Sequence, residues 1–215
     1  GFGLGLGIAL VDVDEHLVFL LELLDHGDFW LSETPDRPGL GWDAACVRIC
    51  SWGKFRHRPT GREFLFFNLH LDHVGKKART ESALLVRRKF DEIAPGIPAI
   101  VTGDFNVDQT SPAYRTMVSG GQLRDSHDVA EIRYVPNGTF NNYRTDEYTP
   151  SRIDHVFVTP DVKVLKYGVL TDTYRTDDRG AVKAELQNAP DEISAVKVTP
   201  RTPSDHFPVM TVVTL

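Results

Sequence analysis

The segment Pro98-Ala99-Ile100-Val101-Thr102-Gly103-Asp104-Phe105-Asn106 decides the reading of this chain, because a short apolar run, a buried strand over 98–102, ends there in a polar cluster. Function collects at such strand ends, since a rigid sheet aims side chains from the loops that leave it. Asp104 and Asn106 stand two residues apart, so an extended backbone turns an acceptor and an amide donor to one side. That pair suits hydrolysis: the carboxylate orients or deprotonates water while the amide donates to a phosphoryl oxygen. The same spacing also makes an Asx turn that caps the next segment.

Three further clusters lie at strand ends. The strand predicted over 63–69, rich in Phe and fed by the turn Pro59-Thr60-Gly61, carries Asn68 and His70 on one face. His70 reads as a second donor to the phosphate or as a satisfied core histidine. The strand over 152–159 opens with Arg152-Ile153-Asp154-His155; Asp154 can fix the tautomer of an imidazole or pair with Arg152. Ser204-Asp205-His206-Phe207-Pro208 offers a hard oxygen ligand beside a proton-handling imidazole, ahead of a strand over 207–215. His73 and His155 are less specific and read equally well as surface positions.

Between these clusters, residues 44–55 and 162–170 predict strands. Ser82, Val86, Phe90 and Ile93 recur at helical spacing over 76–93, and Pro95-Gly96 stops that helix. Residues 111–118 predict a second helix, with Ser111 as N-cap and Pro112 at the first position. Residues 174–203 are polar and weakly periodic and read as a long loop. Strands in this order with a few helices indicate an α/β layered sandwich.

The 215 residues, 41% hydrophobic and 25% charged, suffice for one full core and so predict one domain. No apolar run approaches the roughly 18 residues of a membrane-spanning helix. A net charge of -6 argues against a broad basic face for nucleic acid and favours a small phosphate ester. The basic positions Lys76, Lys77, Arg79, Arg87, Arg88 and Lys89 read by default as a solvated helix face and alternatively as a face that tracks a nucleic-acid backbone, so nuclease and small phosphoesterase both stay open. Cys46 and Cys50, on one face of the strand over 44–55, would stand about 13 Å apart, too far to bridge. The alternation of Gly with Phe or Leu over 1–7 lacks a preceding strand and a following Lys-Ser/Thr, so it reads as a flexible terminus and not a nucleotide loop.

Asn68-x-His70, then Gly103-Asp104-Phe105-Asn106, then Arg152-Ile153-Asp154-His155-Val156-Phe157, then Ser204-Asp205-His206-Phe207-Pro208-Val209, in this order, resembles the endonuclease/exonuclease/phosphatase superfamily. The stretch Phe29 to Pro35, followed by Gly41-Trp42-Asp43-Ala44-Ala45 and Arg48, looks like a bacterial branch of it. The resemblance runs from residue 23 to 215 and leaves 1–22 as an unmatched segment. It implies a deoxyribonuclease I-like fold, two sheets flanked by helices, and a metal-dependent phosphoesterase of diesters or monoesters. It implies further that Asp104 orients the attacking water, that Asn106 and His70 contact the scissile phosphate, and that His206 is the catalytic histidine supported by Asp154. Asp205 would help hold Mg²⁺, with Mn²⁺ as a substitute, and an oxygen-rich site without clustered cysteines agrees with a hard cation. Trp42, Asp43 and Arg48 are candidates for the cleft wall beside Asn68, Arg48 offering a planar fork to phosphate or a structural ion pair.

The family also carries, upstream, a strand ending in Asn and another ending in Gln-Glu whose Glu is the principal metal ligand; neither motif is found, and Glu15 and Glu22 sit in other contexts. The sheet is therefore expected to lack N-terminal strands and to expose an edge. The alternative function is that of an impaired copy of the fold serving as a binding module. Related bacterial proteins are often exported, which extends by resemblance to an extracytoplasmic site, and nothing in the sequence sets an oligomeric state.

Overall fold

A computed structural model describes residues 20–176, 182–184, 186, 188 and 190–215. The segment set apart as 1–22, and the glycine-rich reading of 1–7 with it, falls outside these residues except for its last three positions.

Six strands form the larger sheet: β1 (Leu21–Trp30), β2 (Ile49–His57), β3 (Glu63–His70), β4 (Ala99–Asp104), β5 (Arg124–Asp125) and, later in the chain, β7 (Asp154–Val158). Their order is β1-β2-β3-β4-β7-β5. Within this sheet only β3 and β4 run parallel, joined by a crossover through the helix α1 (Lys76–Ile93). A smaller sheet sets β8 (Lys163–Val169) between β6 (Ile132–Tyr134) and β13 (Val209–Thr214). Two short α-helices, α2 (Pro112–Val118) and α3 (Ser126–Val129), follow, with a 3-10 turn over Ser119–Gly121 after α2.

Alternation along the strands separates two cores. Leu65, Phe67, Val101 and Phe157 point to one face and bury against α1 and α2. Ile100, Val156 and Val158 point to the other, where Val164, Tyr167, Val169 and Val209 of the smaller sheet meet them. The architecture is thus the expected α/β sandwich, helices on one side of a sheet and a second sheet on the other.

The helices follow their sequence signals closely. α1 spans the predicted 76–93 and buries Ser82, Val86 and Phe90. Ser111 caps α2 by accepting from the backbone N–H of Tyr114 at 3.1 Å.

Three readings change. The strand expected over 44–55 begins only at Ile49, because residues 44–46 fold around the carboxylate of Asp72. The strand β1 has no counterpart in the sequence reading; it pairs with β2 through a register shift between Leu23 and Asp25, which breaks its alternation. It is the outer strand of the sheet among the described residues, and Leu23 is half exposed there. The stretch 174–203 is no featureless loop: β9 (Tyr174–Thr176) pairs with β12 (Thr199–Arg201), and β10 (Val182–Lys183) with β11 (Val196–Lys197). Its described residues thus include two separate antiparallel pairs of short strands.

Candidate active site at the mouth of the sandwich

The positions of the site residues follow from strand parity. Phe66, Asn68 and His70 alternate along β3, and Ile100, Thr102 and Asp104 along β4, facing the smaller sheet; Asp154, Val156 and Val158 do the same along β7. The apolar members fill the space between the sheets. The polar ones, in register as His70 beside Asp104 and Asp104 beside Asp154, stand where the strands end. His206 arrives from the other sheet, three residues before β13. Each sheet therefore supplies part of one cluster at the open end of the sandwich.

Within it, His70 Nε2 lies 3.2 Å from Asp104 Oδ2, and His206 Nε2 lies 3.9 Å from the same oxygen. His206 Nδ1 hydrogen-bonds Asp154 Oδ2 at 2.9 Å. That bond raises the basicity of His206 above the ordinary imidazole range; partial burial opposes it, and the nearby charges of Asp154, Asp104 and Asp205 add to it. Asp154 is buried, and Arg152, its alternative partner, turns away to bind Asp125 at 3.0 Å. Thr139 Oγ1 accepts from the backbone N–H groups of Ile153 and Asp154 at 2.8 and 3.1 Å. Because Thr139 also accepts, through its carbonyl, from Phe207 N, this buried threonine ties β7 to the His206 segment.

The loop after β4 converges by a route other than the expected one. Asn106 adopts φ 50, a left-handed conformation that asparagine tolerates, so the backbone there is not extended. An Asx turn brings the two side chains together: Asp104 Oδ1 accepts from Asn106 N at 2.8 Å. The Asn106 amide donates to Leu71 O at 3.0 Å and to Asp104 Oδ2 at 3.4 Å, so it braces the carboxylate. Gly103 is required at its position, because a Cβ would lie 2.0 Å from the carbonyl oxygen of Leu69 on the parallel neighbour.

Two other expectations are corrected, for Asp43 and His155. Asp43 spends its oxygens on the start of α1, accepting from Ala78 N at 2.6 Å and Lys77 N at 3.2 Å, and so caps a helix instead of facing a cleft. Asp205, expected as a metal ligand, neighbours His206 but is not one of the three residues, Asp104, Asp154 and His206, whose donor atoms lie within 4.8 Å of one another. The chain bends here, with His206 N donating to Ser204 Oγ at 3.1 Å, and the Asp205 carboxylate accepts from Ser204 Oγ at 3.4 Å. His155 is not a surface residue: it is buried, its ring packed between Phe105, Tyr114 and Phe157, with Nε2 3.0 Å from Val107 O.

Of the remaining candidates, Asn68 accepts from Thr102 Oγ1 at 3.3 Å, one pleat behind His70. Trp42 has φ 50, donates its backbone N–H to Glu33 and rests its ring on the core. Arg48 reaches His73 Nδ1 at 3.4 Å and stands 4.0 Å from Asp72. Glu22 pairs with Arg56 at the end of the sheet remote from His70, which removes it as a substitute for the missing ligand. The sequence reading missed Thr139, whose neighbours Gly138-Thr139-Phe140-Asn141 carry no periodic signal, and Asp72, which belongs to none of the four clusters.

Among the described residues, two groups of three potential ligands bring their donor atoms within 4.8 Å of one another: Asp104, Asp154 and His206, and, outside the site, Cys46, Asp72 and His73. The first suits a hard divalent cation. It holds two carboxylates, and Asp154 Oδ1 is buried without a hydrogen-bond partner, an acceptor left unsatisfied at the site. In the second, both oxygens of Asp72 are already spent on four backbone N–H groups.

Residues 7–206 match the family described as Endonuclease/Exonuclease/phosphatase. Among solved structures, a mannosyl-6-phosphatase from Bacteroides thetaiotaomicron VPI-5482 is 52% identical, with a TM-score of 0.79 over 91% of this chain and 67% of that one. An endonuclease/exonuclease/phosphatase family protein from Bacteroides thetaiotaomicron is 53% identical (TM-score 0.79, 90% of this chain and 65% of that one). One from Bacteroides vulgatus is 35% identical (TM-score 0.72, 91% and 66%). The chain thus spans about two thirds of the length of these relatives.

Proposed function

The chain belongs to the endonuclease/exonuclease/phosphatase family, and from that premise we propose that it hydrolyses a sugar phosphomonoester, mannose 6-phosphate, by attack of an activated water. The observation that carries this reading is the single oxygen Asp104 Oδ2 flanked by His70 and His206, with His206 held by buried Asp154. The choice of a monoester of a sugar rests on the 52% identity to a mannosyl-6-phosphatase.

In this mechanism Asp104 orients the water and accepts its proton as the water oxygen bonds to phosphorus. The phosphorus–oxygen bond to the sugar breaks, and the sugar oxygen leaves with the proton of His206. The Asp154 hydrogen bond favours the protonated imidazole that this step needs. His70, half exposed beside Asp104, donates to a phosphoryl oxygen. Asn106 acts first as a brace for Asp104 and turns its longer, 3.4 Å bond toward the phosphate when substrate enters. A divalent cation, Mg²⁺ with Mn²⁺ as a substitute, fits Asp104 and Asp154 and would polarise the phosphoryl oxygens as a Lewis acid.

The test is release of inorganic phosphate from mannose 6-phosphate with Mg²⁺ added or chelated, using wild type beside Asp104→Asn and His206→Ala. Loss of roughly 10²- to 10⁴-fold in each variant is expected. Turnover that survives both substitutions would overturn the assignment. Folded wild type that binds the ester without turning it over, in either metal, would favour the binding-module reading.

A further inference from the structure

The site has one apolar wall, and its placement follows from backbone pairing. Thr139 O accepts from Phe207 N at 2.7 Å and Asn141 N donates to Asp205 O at 2.8 Å, so Phe140 and His206 face each other as a non-hydrogen-bonded antiparallel pair. Side chains of such a pair stand closest together and on the same face. The Phe140 ring meets the His206 imidazole edge to face, centroids 5.2 Å apart, and yet 39% of Phe140 is open to solvent. An aromatic held by backbone bonds on both sides, against the imidazole that handles the leaving oxygen, has no core to fill with its open face.

The chain next to it is built for presentation. Asn142 and Tyr143 take consecutive left-handed conformations, φ 51 and 60, in a loop that keeps Asn141 buried through Thr202 and the Asp205 carbonyl. Left-handed backbone at a tyrosine costs free energy and persists where surrounding contacts impose it, most often at functional sites. Here it puts Tyr143 in solvent, 63% exposed, three residues after Phe140. On the opposite flank of Asp104 the wall is polar, made by His70 and Asn68.

Resting on the proposed phosphoesterase reading and deepening it, we propose that Phe140 is a specificity residue that stacks on the apolar face of the substrate's ring, selecting cyclic alcohol phosphates, pyranose phosphates among them, over open-chain ones. The phosphate is held by His70 and Asn106 beside Asp104, and the organic part, whose oxygen takes the proton of His206, leaves past Phe140, the aromatic that touches His206.

The experiment compares mannose 6-phosphate with glycerol 3-phosphate in wild type, Phe140→Leu and Phe140→Tyr, reading the ratio of kcat/KM for the two esters. Phe140→Leu should lower the ratio about tenfold, carried by KM of the ring substrate, the size expected for one aromatic stacking contact. Phe140→Tyr should restore it. Equal loss on both esters, with the ratio unchanged, would assign Phe140 to support of His206 alone and overturn the inference while leaving the phosphoesterase reading intact. Wild type inactive on both esters would overturn the two together.

Discussion

Replacing Asp72 by Asn tests how the loop before β2 is held at the rim of the site. Asp72 is 2% exposed, and its two oxygens accept four backbone N–H groups, from Ala45 and Cys46 on one side and Val74 and Gly75 on the other, at 2.7 to 3.1 Å. Burial by itself would raise the carboxyl's pKa; the four N–H bonds outweigh it and pull the value from 3.8 to about 2. That difference corresponds to roughly 2 kcal/mol of stability at neutral pH. Because the folded value is depressed, the stabilisation is present above pH 3.8 and is lost as pH falls through about 2. An Asn side chain has the same shape, but its amide group would confront two of the N–H donors, each orphaned donor costing about 1–3 kcal/mol. Allowing for overlap between these two effects, we expect Asp72→Asn to lose about 4 kcal/mol at pH 7. For a chain of this length that lowers Tm by roughly 8–16 °C. Urea unfolding at pH 7 and pH 3 measures it, the gap between variant and wild type narrowing by about 1 kcal/mol at the lower pH. A gap under about 1 kcal/mol at pH 7, or one that does not narrow, would refute the reasoning.

Two further outcomes follow from the same geometry. In metal-free protein, Asp154→Asn should move the NMR titration of His206 to lower pH, since the Asp154 hydrogen bond is the leading cause of its raised basicity; the stability this gives, present below pH 6.5 and lost as pH rises through the folded value, shrinks with it. An unmoved midpoint would mean the bond does not form in solution. Phe157→Ala should cost about 3–5 kcal/mol, because Phe157 is fully buried and its ring meets Phe105 edge to face at 5.1 Å. Calorimetry showing a loss below about 1 kcal/mol would contradict that packing.

The misreadings share a cause. Strand β1 escaped the sequence reading because a register shift between Leu23 and Asp25 disrupts the two-residue period on which strand recognition depends. His155 looked like a surface histidine beside Asp154, yet strand parity sends it to the helix side of the sheet, where Val107 O and the aromatic rings enclose it. Asp43 reads as a cleft residue because its partners at the start of helix α1, 34 and 35 residues away, are ones that no local pattern reveals. Asp104 and Asn106 did converge, by the turn that competed with the extended reading.

The sequence by itself determined the α/β class, the limits of α1 and α2, and the four clusters, because apolar period, capping residues and polar strand ends are local properties that each segment carries alone. It also supplied the parity that puts Asn68 and His70 on one face. Only the tertiary structure decided which clusters meet. Asp104, Asp154 and His206 lie 50 or more residues apart between their two sheets, and the contact of His206 with Asp154 and with Phe140 depends on Thr139 joining β7 to the segment before β13. Contacts of that kind are set by strand register and sheet packing, long-range quantities that no window of neighbouring residues contains.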